Sequence, residues 1–188
     1  HCGCIPGRGD LLVGVTSLVA KYNGVRNKGH VVSKLVDLIT SAETVYACGI
    51  TAAFKGVGTP SGLYAPAVIY SNTGKLIESE NTTAMITPVA DICGGILCTI
   101  PSEADYFSPN TRDYMKKYLK GAVDVDAEDR IKAIHLAADL TITRNAAAGA
   151  AAEVMGAGSP EAQRRAIHSD YDFEKREALA KRLANIET

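Results

Sequence analysis

Three groups of residues have types and spacing that could support chemistry. Glu153 stands in a strongly apolar run, 146–154, just before the glycine-rich break Gly156-Ala157-Gly158. A carboxyl in such surroundings loses hydration, its pKa rises, and it can exchange a proton near neutrality. The alternative is a helix-end glutamate that reaches solvent, and the sequence favours neither. The second group is Cys2-Gly3-Cys4, whose soft thiolates suit zinc or iron–sulfur chemistry. No second dithiol lies at a ligand spacing, so by spacing alone these read as free thiols. Cys48, Cys93 and Cys98 have apolar neighbours and read as small buried hydrophobes.

The third group is the segment from Asp91 to Glu103. It starts as the end of an apolar helix, breaks at Gly94-Gly95, runs apolar to Ile100 and stops at Pro101-Ser102-Glu103. Adjacent glycines let a backbone approach something bulky or turn through angles barred to other residues. The segment reads as a place where a helical protein makes room for a ligand, although a glycine pair also marks tight helix ends. Arg8-Gly9-Asp10 matches an adhesion tripeptide, but Asp10 is better used as a helix cap. His135 falls on an apolar helix face as a core histidine, while His30 and His168 read as surface residues.

Helices must position these groups. Residues 1–9 read as loop because of Gly3, Pro6, Gly7 and Gly9. Asp10 then caps a helix to about Tyr22, and Asn23-Gly24 ends it. Over 28–55, apolar residues recur every three or four positions (Val31, Leu35, Leu38, Ala42, Val45), the seam of an antiparallel bundle. The stretch 56–66 is rich in turns, without strand periodicity. A third helix is expected over 66–93, with an irregularity at Asn72-Thr73-Gly74 and a kink or break at Pro88. Residues 96–100 are expected to be extended or irregular. Ser108-Pro109 opens a short helix that ends at Gly121. Asp126 and Asp129 suggest a capping box for a helix that continues to about Val154, its alanine-rich end suited to close helix contact. Ser159-Pro160-Glu161 starts another helix, and Asp172 caps a last amphipathic one through Leu179, Leu183 and Ile186.

The chain is long enough for one well-buried domain, taken as 1–188, and too short for two substantial ones. Twenty lysines and arginines against 21 acidic residues leave a net charge of −1, so broad attraction to nucleic acid or anionic membrane has no support. No apolar run is long enough to span a bilayer. Five cysteines do not form a secreted disulfide framework, and reduced cytoplasmic thiols are expected. The start at His1, inside a cysteine cluster, reads as a truncated or processed polypeptide.

Four segments together resemble the C-terminal helical domain of the 4-hydroxyphenylacetate 3-hydroxylase family of flavoproteins. They are Cys4-x-x-Gly7-x-Gly9-Asp10, Glu43-Thr44-x-Tyr46-x-Cys48-Gly49, Gly94-Gly95 with Thr99-x-Pro101-Ser102-Glu103-x-Asp105, and Gly156-Ala157-Gly158-Ser159-Pro160-x-Ala162-Gln163. The match is nearest to the family's acyl-CoA dehydratase branch. The resemblance implies an all-α bundle like the C-terminal domain of acyl-CoA dehydrogenases, in a cytoplasmic homotetramer that binds FAD and an acyl-CoA. The dehydratases add a [4Fe–4S] cluster held by three cysteines and a histidine, of which Cys4 matches the last cysteine. The other ligands would precede residue 1, and His1 does not carry the histidine's role. The resemblance places Asp91, Gly94, Gly95, Thr99, Pro101 and Ser102 beside an FAD held mainly by a neighbouring subunit. It gives Glu153 a catalytic role near the substrate.

Two residues depart from the dehydratase pattern: Ile5 stands where those enzymes have lysine, and His1 where they have tyrosine. They leave open a paralogue acting on a different acyl-CoA, and two other readings stand beside a dehydratase/isomerase. One is a flavin-dependent aromatic monooxygenase of the same fold, which needs no iron. The other is a helical oligomerisation piece with no activity of its own.

Overall fold

The computed structural model describes residues 1–122 and 124–186. In chain order its elements are α1 (Cys4–Tyr22), α2 (Gly29–Phe54), β1 (Val57–Gly58), β2 (Tyr64–Ala65), α3 (Val68–Asn81), α4 (Ile86–Cys93), α5 (Ile96–Thr99), α6 (Glu103–Phe107), α7 (Arg112–Tyr118), α8 (Ala127–Thr141), α9 (Arg144–Ala157), α10 (Pro160–Asp170) and α11 (Phe173–Leu183). The chain is an all-helical bundle, as its periodicity implies.

α1 is the central rod, packed on α2, α4 and α8. Its Leu12, Val15 and Val19 meet Leu38 of α2, Val89 and Cys93 of α4, Leu97 of α5, and Ile134 and Ala137 of α8 in one buried cluster. These residues recur every three or four positions on α1, so one stripe of the helix faces the core. α3 forms a second layer against α2, α9 and α10. Gln163 of α10, almost fully buried, donates to the carbonyls of Ala157 and Gly158 at 2.9 and 2.8 Å. It thereby caps the end of α9, whose last carbonyls lack helical partners.

Several expected boundaries are corrected. α1 begins at Cys4, so residues 4–9 are helix and Asp10 lies inside it. Pro6 falls in the first turn, where its missing N–H costs nothing. Gly9 is buried against α2: a Cβ there would lie 2.5 Å from that of Ala42. Close helix packing thus uses a glycine that, read locally, marks a loop. The 56–66 connection holds an antiparallel hairpin pairing Val57 with Ala65 and Gly58 with Tyr64.

The helix expected over 66–93 starts at Val68 and breaks at 82–85, where the Thr82 hydroxyl turns back onto Glu78. Pro88 sits harmlessly in the first turn of α4, and Gly74 lies within an unbroken α3. Residues 96–99 form one helical turn, and α6 follows. α7 opens at Arg112 and stops at Tyr118, because the chain then docks on the end of α1 through the Ala122 N–H to Tyr22 carbonyl bond of 3.0 Å. Asp126 occupies the cap position of α8 without a side-chain bond. α8 and α9 are separate helices, since the Thr143 hydroxyl accepts from the Ala146 N–H and starts a new one.

The alanines of α9 are mostly exposed, not packed, and so are Leu179, Leu183 and Ile186. Cys98 is exposed as well, because α5 turns it outward, whereas Cys93 is buried and Cys48 half-buried. The expected caps at Ser159 and Asp172 form, accepting from Ala162 and Lys175 respectively.

Candidate functional site

The first turn of α1 gathers the polar groups. Its Gly3 cap has no side chain, so the His1 carbonyl accepts from the N–H groups of Cys4 and Ile5, each at 3.2 Å. The exposed Cys4 thiol also lies 3.4 Å from that carbonyl. Cys2 turns the other way, into the seam between α2 and α3. A Cβ at Gly49 would come within 2.9 Å of the Cys2 Cβ, and one at Gly74 within 2.8 Å of its Sγ. Burial raises the Cys2 thiol above its ordinary pKa. The two thiols of Cys-x-Cys thus point apart: Cys4 is exposed, while Cys2 is half-buried at the edge of a groove.

One helical turn beyond Cys4, on the same face of α1, Arg8 is ion-paired through NH1 to Glu153 Oε2. Its NH2 donates to the Leu140 carbonyl at the end of α8, 3.2 Å away. Arg8 and Glu153 are mostly buried, with side chains 19% and 15% exposed. Glu153 therefore does not simply reach solvent. Burial raises its carboxyl pKa, the Arg8 guanidinium lowers it, and the nearby charge of Glu78 raises it again.

Glu78 completes the knot. It is 5% exposed on α3, accepts from the Thr82 hydroxyl at 2.8 Å, and lies 3.3 Å from His1 Nε2. Burial holds its pKa above the ordinary carboxylate range, against the opposing effects of Thr82 and Arg8. The His1 ring rests over Gly156, where a Cβ would be 3.7 Å from it. Beside the knot an open groove of about 350 Å³ is bounded by His1, Gly3, Tyr46, Gly49 and Lys75. The sequence points to Glu153 but not to Glu78 or Arg8. Glu78 lies in the polar-looking run Ile77-Glu78-Ser79-Glu80, where only α3's contacts show which carboxylate turns inward.

The glycine segment lies elsewhere. Asn23, just past the end of α1, donates to the Ile92 carbonyl at 3.4 Å, which places the end of α4 at the far end of that helix. Fifteen residues of helix rise separate Asn23 from Arg8, roughly 22 Å at 1.5 Å per residue. Gly94 closes α4 with φ +73° and ψ −169°, a conformation open to glycine. Gly95 is helical, and a Cβ on either glycine would meet nothing within 4 Å. Asp91 is exposed and paired to Lys34 at 2.6 Å. The Thr99 hydroxyl donates to the Gly95 carbonyl at 3.2 Å. The Pro101 carbonyl lies 3.0 Å from His135 Nε2, and Ser102 forms a reciprocal capping box with Asp105 at the start of α6. The structure thus joins Asp91, Gly94, Gly95, Thr99, Pro101 and Ser102 in one exposed segment, and separates them from Cys4 and Glu153.

Among the described residues no three His, Cys, Asp or Glu side chains converge as a metal-binding group. At this end of the bundle Cys4 is an exposed thiol, whose soft sulfur is the kind of donor that iron takes. The glycine segment offers open backbone with no side chain above it, which suits a large planar or phosphorylated ligand. Among the described residues no helix is long and apolar enough to cross a membrane.

The family described as 4-hydroxyphenylacetate 3-hydroxylase C terminal matches residues 1–185. The 4-hydroxybutyryl-CoA dehydratase/vinylacetyl-CoA Δ-isomerase of Clostridium aminobutyricum is 30% identical over 98% of this chain and 39% of its own length. The oxygenase component of 4-hydroxyphenylacetate 3-monooxygenase from Thermus thermophilus is 26% identical over 88% of the chain and 34% of its own. Among solved structures, the oxygen-tolerant archaeal 4-hydroxybutyryl-CoA dehydratase from N. maritimus superposes with a TM-score of 0.91 at 34% identity, over 98% of this chain and 37% of that one. An oxygenase component of 4-hydroxyphenylacetate 3-monooxygenase solved with FAD gives 0.89 at 21% identity, over 97% and 38%, a likeness of fold. The chain spans about two-fifths of the length of these dehydratases. With the family match running over nearly every residue, this chain belongs to the 4-hydroxyphenylacetate 3-hydroxylase C-terminal family.

Proposed function

We propose that the chain is the C-terminal part of a flavin- and [4Fe–4S]-dependent dehydratase. The reaction is conversion of 4-hydroxybutyryl-CoA to crotonyl-CoA and water, with isomerisation of vinylacetyl-CoA. The observation that carries this reading is the Arg8–Glu153 pair, one turn from the open Cys4 thiol on the same face of α1. An exposed thiol and a largely buried carboxylate share one end of the bundle, beside a groove, which supports the reading.

Abstracting an unactivated β-proton from an acyl-CoA is difficult, because nothing stabilises the resulting carbanion. A flavin beside the Gly94-Gly95 segment would supply one-electron redox chemistry, and a cluster held in part by Cys4 would supply Lewis acidity toward the departing hydroxyl. Glu153 receives the proton. Arg8 keeps its carboxylate ionised and aimed, while burial makes it a stronger base than an exposed glutamate. Cys4 donates a thiolate to the cluster. The Gly94-Gly95 segment serves FAD across a subunit boundary, in keeping with its separation from Glu153. The same reading makes the protein a cytoplasmic homotetramer, and the exposed Leu179, Leu183 and Ile186 supply apolar surface for assembly.

Ile5 and His1, which differ from the dehydratase pattern beside Cys4, bear on which acyl-CoA is used; the second reading is an aromatic monooxygenase of the same fold, favoured by the likeness to the Thermus thermophilus oxygenase component. Iron and sulfide analysis of anaerobically purified, active protein separates the two. The dehydratase reading requires a cluster, and an iron-free, fully active protein would overturn it. Glu153→Gln is expected to abolish turnover while leaving flavin content intact.

A further inference from the structure

We infer that Cys2 and Cys48 are a paired oxidation site: their side chains meet over the bare backbone of Gly74, and a peroxide closes them into a disulfide that ties the N-terminal stretch to α2. Three elements come together at this point. Cys2 precedes α1, Cys48 lies in the second half of α2, and Gly74 lies in α3. A Cβ on Gly74 would stand 2.8 Å from the Cys2 Sγ and 2.9 Å from the Cys48 Cβ. Both cysteines thus border the space that any larger residue at 74 would fill. By those two lengths the Cys2 Sγ lies within about 6 Å of the Cys48 Cβ. Gly49 adds a second bare patch on α2, where a Cβ would come within 2.9 Å of the Cys2 Cβ. Two absent side chains therefore let Cys2 rest on α2 beside Cys48.

A disulfide needs its sulfurs about 2 Å apart and its Cβ atoms about 3.8 Å apart. Closing the bond requires the two side chains to turn toward each other and the N-terminal stretch to settle slightly onto α2. The Cys2 thiol is held only by a long contact to the Ser71 carbonyl, 3.6 Å away. Cys4 is nearer in sequence but is turned to the opposite side, Cys93 is buried in the core, and Cys98 lies on α5. Cys2 and Cys48 are both half-buried, and Cys2 lines the open groove, so a small oxidant reaches the pair. Hydrogen peroxide transfers one oxygen to the Cys2 sulfur as its O–O bond breaks, giving a sulfenic acid and water. The Cys48 sulfur then attacks that sulfur; the S–S bond forms, the S–O bond breaks, and the hydroxyl leaves with the Cys48 proton as a second water. The two sulfurs together give up the two electrons that reduce the peroxide. Burial raises both thiols, which makes the first attack slow.

The test is disulfide mapping of the full-length protein after prolonged exposure to excess hydrogen peroxide. Remaining thiols are blocked with N-ethylmaleimide before unfolding, so that no bond forms during the digest. Trypsin cuts after Arg8, Lys34 and Lys55, which places Cys48 on the peptide 35–55 and Cys2 on the one ending at Arg8. These two peptides are expected to appear joined in the mass spectrum and to separate on treatment with dithiothreitol. Cys2→Ser and Cys48→Ser each abolish the joined species, whereas Cys4→Ser retains it, which assigns the bond to Cys2. The wild-type map decides the matter if a variant does not fold. Cys48 recovered as its maleimide adduct beside a sulfinic Cys2, a Cys2–Cys4 loop within one peptide, or a link that survives Cys2→Ser overturns the inference. The outcome is independent of iron content and turnover, so it stands or falls apart from the dehydratase reading.

Discussion

Replacing Arg8 with methionine keeps the apolar stem and removes the charge that balances Glu153. Both side chains are less than one-fifth exposed, so the carboxylate left behind stays largely dry. Stripping one partner from a buried pair costs roughly 3–5 kcal/mol, and the residual exposure puts this one at the lower end, about 3 kcal/mol. In a chain of this size that is ~9 °C in Tm. The bond to the Leu140 carbonyl, roughly 1 kcal/mol, is part of the loss.

The penalty depends on pH, and its sign follows from the carboxyl. The folded pKa of Glu153 already lies above its unfolded value, so its favourable contribution is complete below the unfolded pKa and disappears as pH rises through the folded one. Without Arg8 the folded pKa rises further, and the variant loses stability more steeply above about pH 4.5. Urea unfolding followed by circular dichroism at pH 7.5 and pH 4 is therefore expected to give a cost of about 3 kcal/mol falling to about 1 kcal/mol. The double variant Arg8→Met/Glu153→Met should recover most of the loss at pH 7.5, because no uncompensated charge remains. Equal costs at both pH values, or a double variant no better than the single one, would falsify the account of the pair as a buried, mutually dependent unit.

Two further perturbations address the rest of the molecule. Gly94→Ala forces a side chain into a region with positive φ and is expected to cost about 1–3 kcal/mol in thermal melts. Gly95→Ala, helical and in open space, should stay within ~0.5 kcal/mol of wild type; if FAD lies against this segment, flavin titration of the holoenzyme will nonetheless show weaker binding. The Cys93 thiol is buried and pushed up to about 11, so alkylation of cluster-free protein at pH 8 followed by peptide mass spectrometry should label Cys4 and Cys98 and spare Cys93.

The long seam of α2 and the caps at Ser159 and Asp172 were readable because their signals are local: a repeat of three or four residues, and a hydroxyl or carboxylate three positions before the N–H it accepts. The start of α1 was not readable. Gly3, Pro6, Gly7 and Gly9 suggest a loop until one knows that Pro6 falls in a first turn and Gly9 faces Ala42, and the second fact belongs to α2, more than thirty residues away. The break between α8 and α9 had a local cause, the Thr143 hydroxyl, hidden in a stretch that otherwise propagates as helix. The site divides in the same way. Glu153 could be singled out by its apolar neighbours. Arg8 carried no local sign of burial, and Glu78 became visible only through the packing of α1, α3 and α9 around it. The glycine pair was readable as a break, but its distance from Glu153 is set by the length of α1.

The tight seam at Gly49 and Gly74 gives the site a mechanical gauge. Cys2 rests against both glycines, and His1 and Cys4 leave the seam from either side of it. The seat of Cys2, two residues before Cys4, is thus set by side chains that are absent. A methyl group added at Gly74 would come within 2.8 Å of the Cys2 Sγ and 2.9 Å of the Cys48 Cβ, so it would press on the N-terminal stretch and on α2 together. The spacing of α2 from α3 and the seat of the N-terminal stretch are thus held by the same two missing side chains.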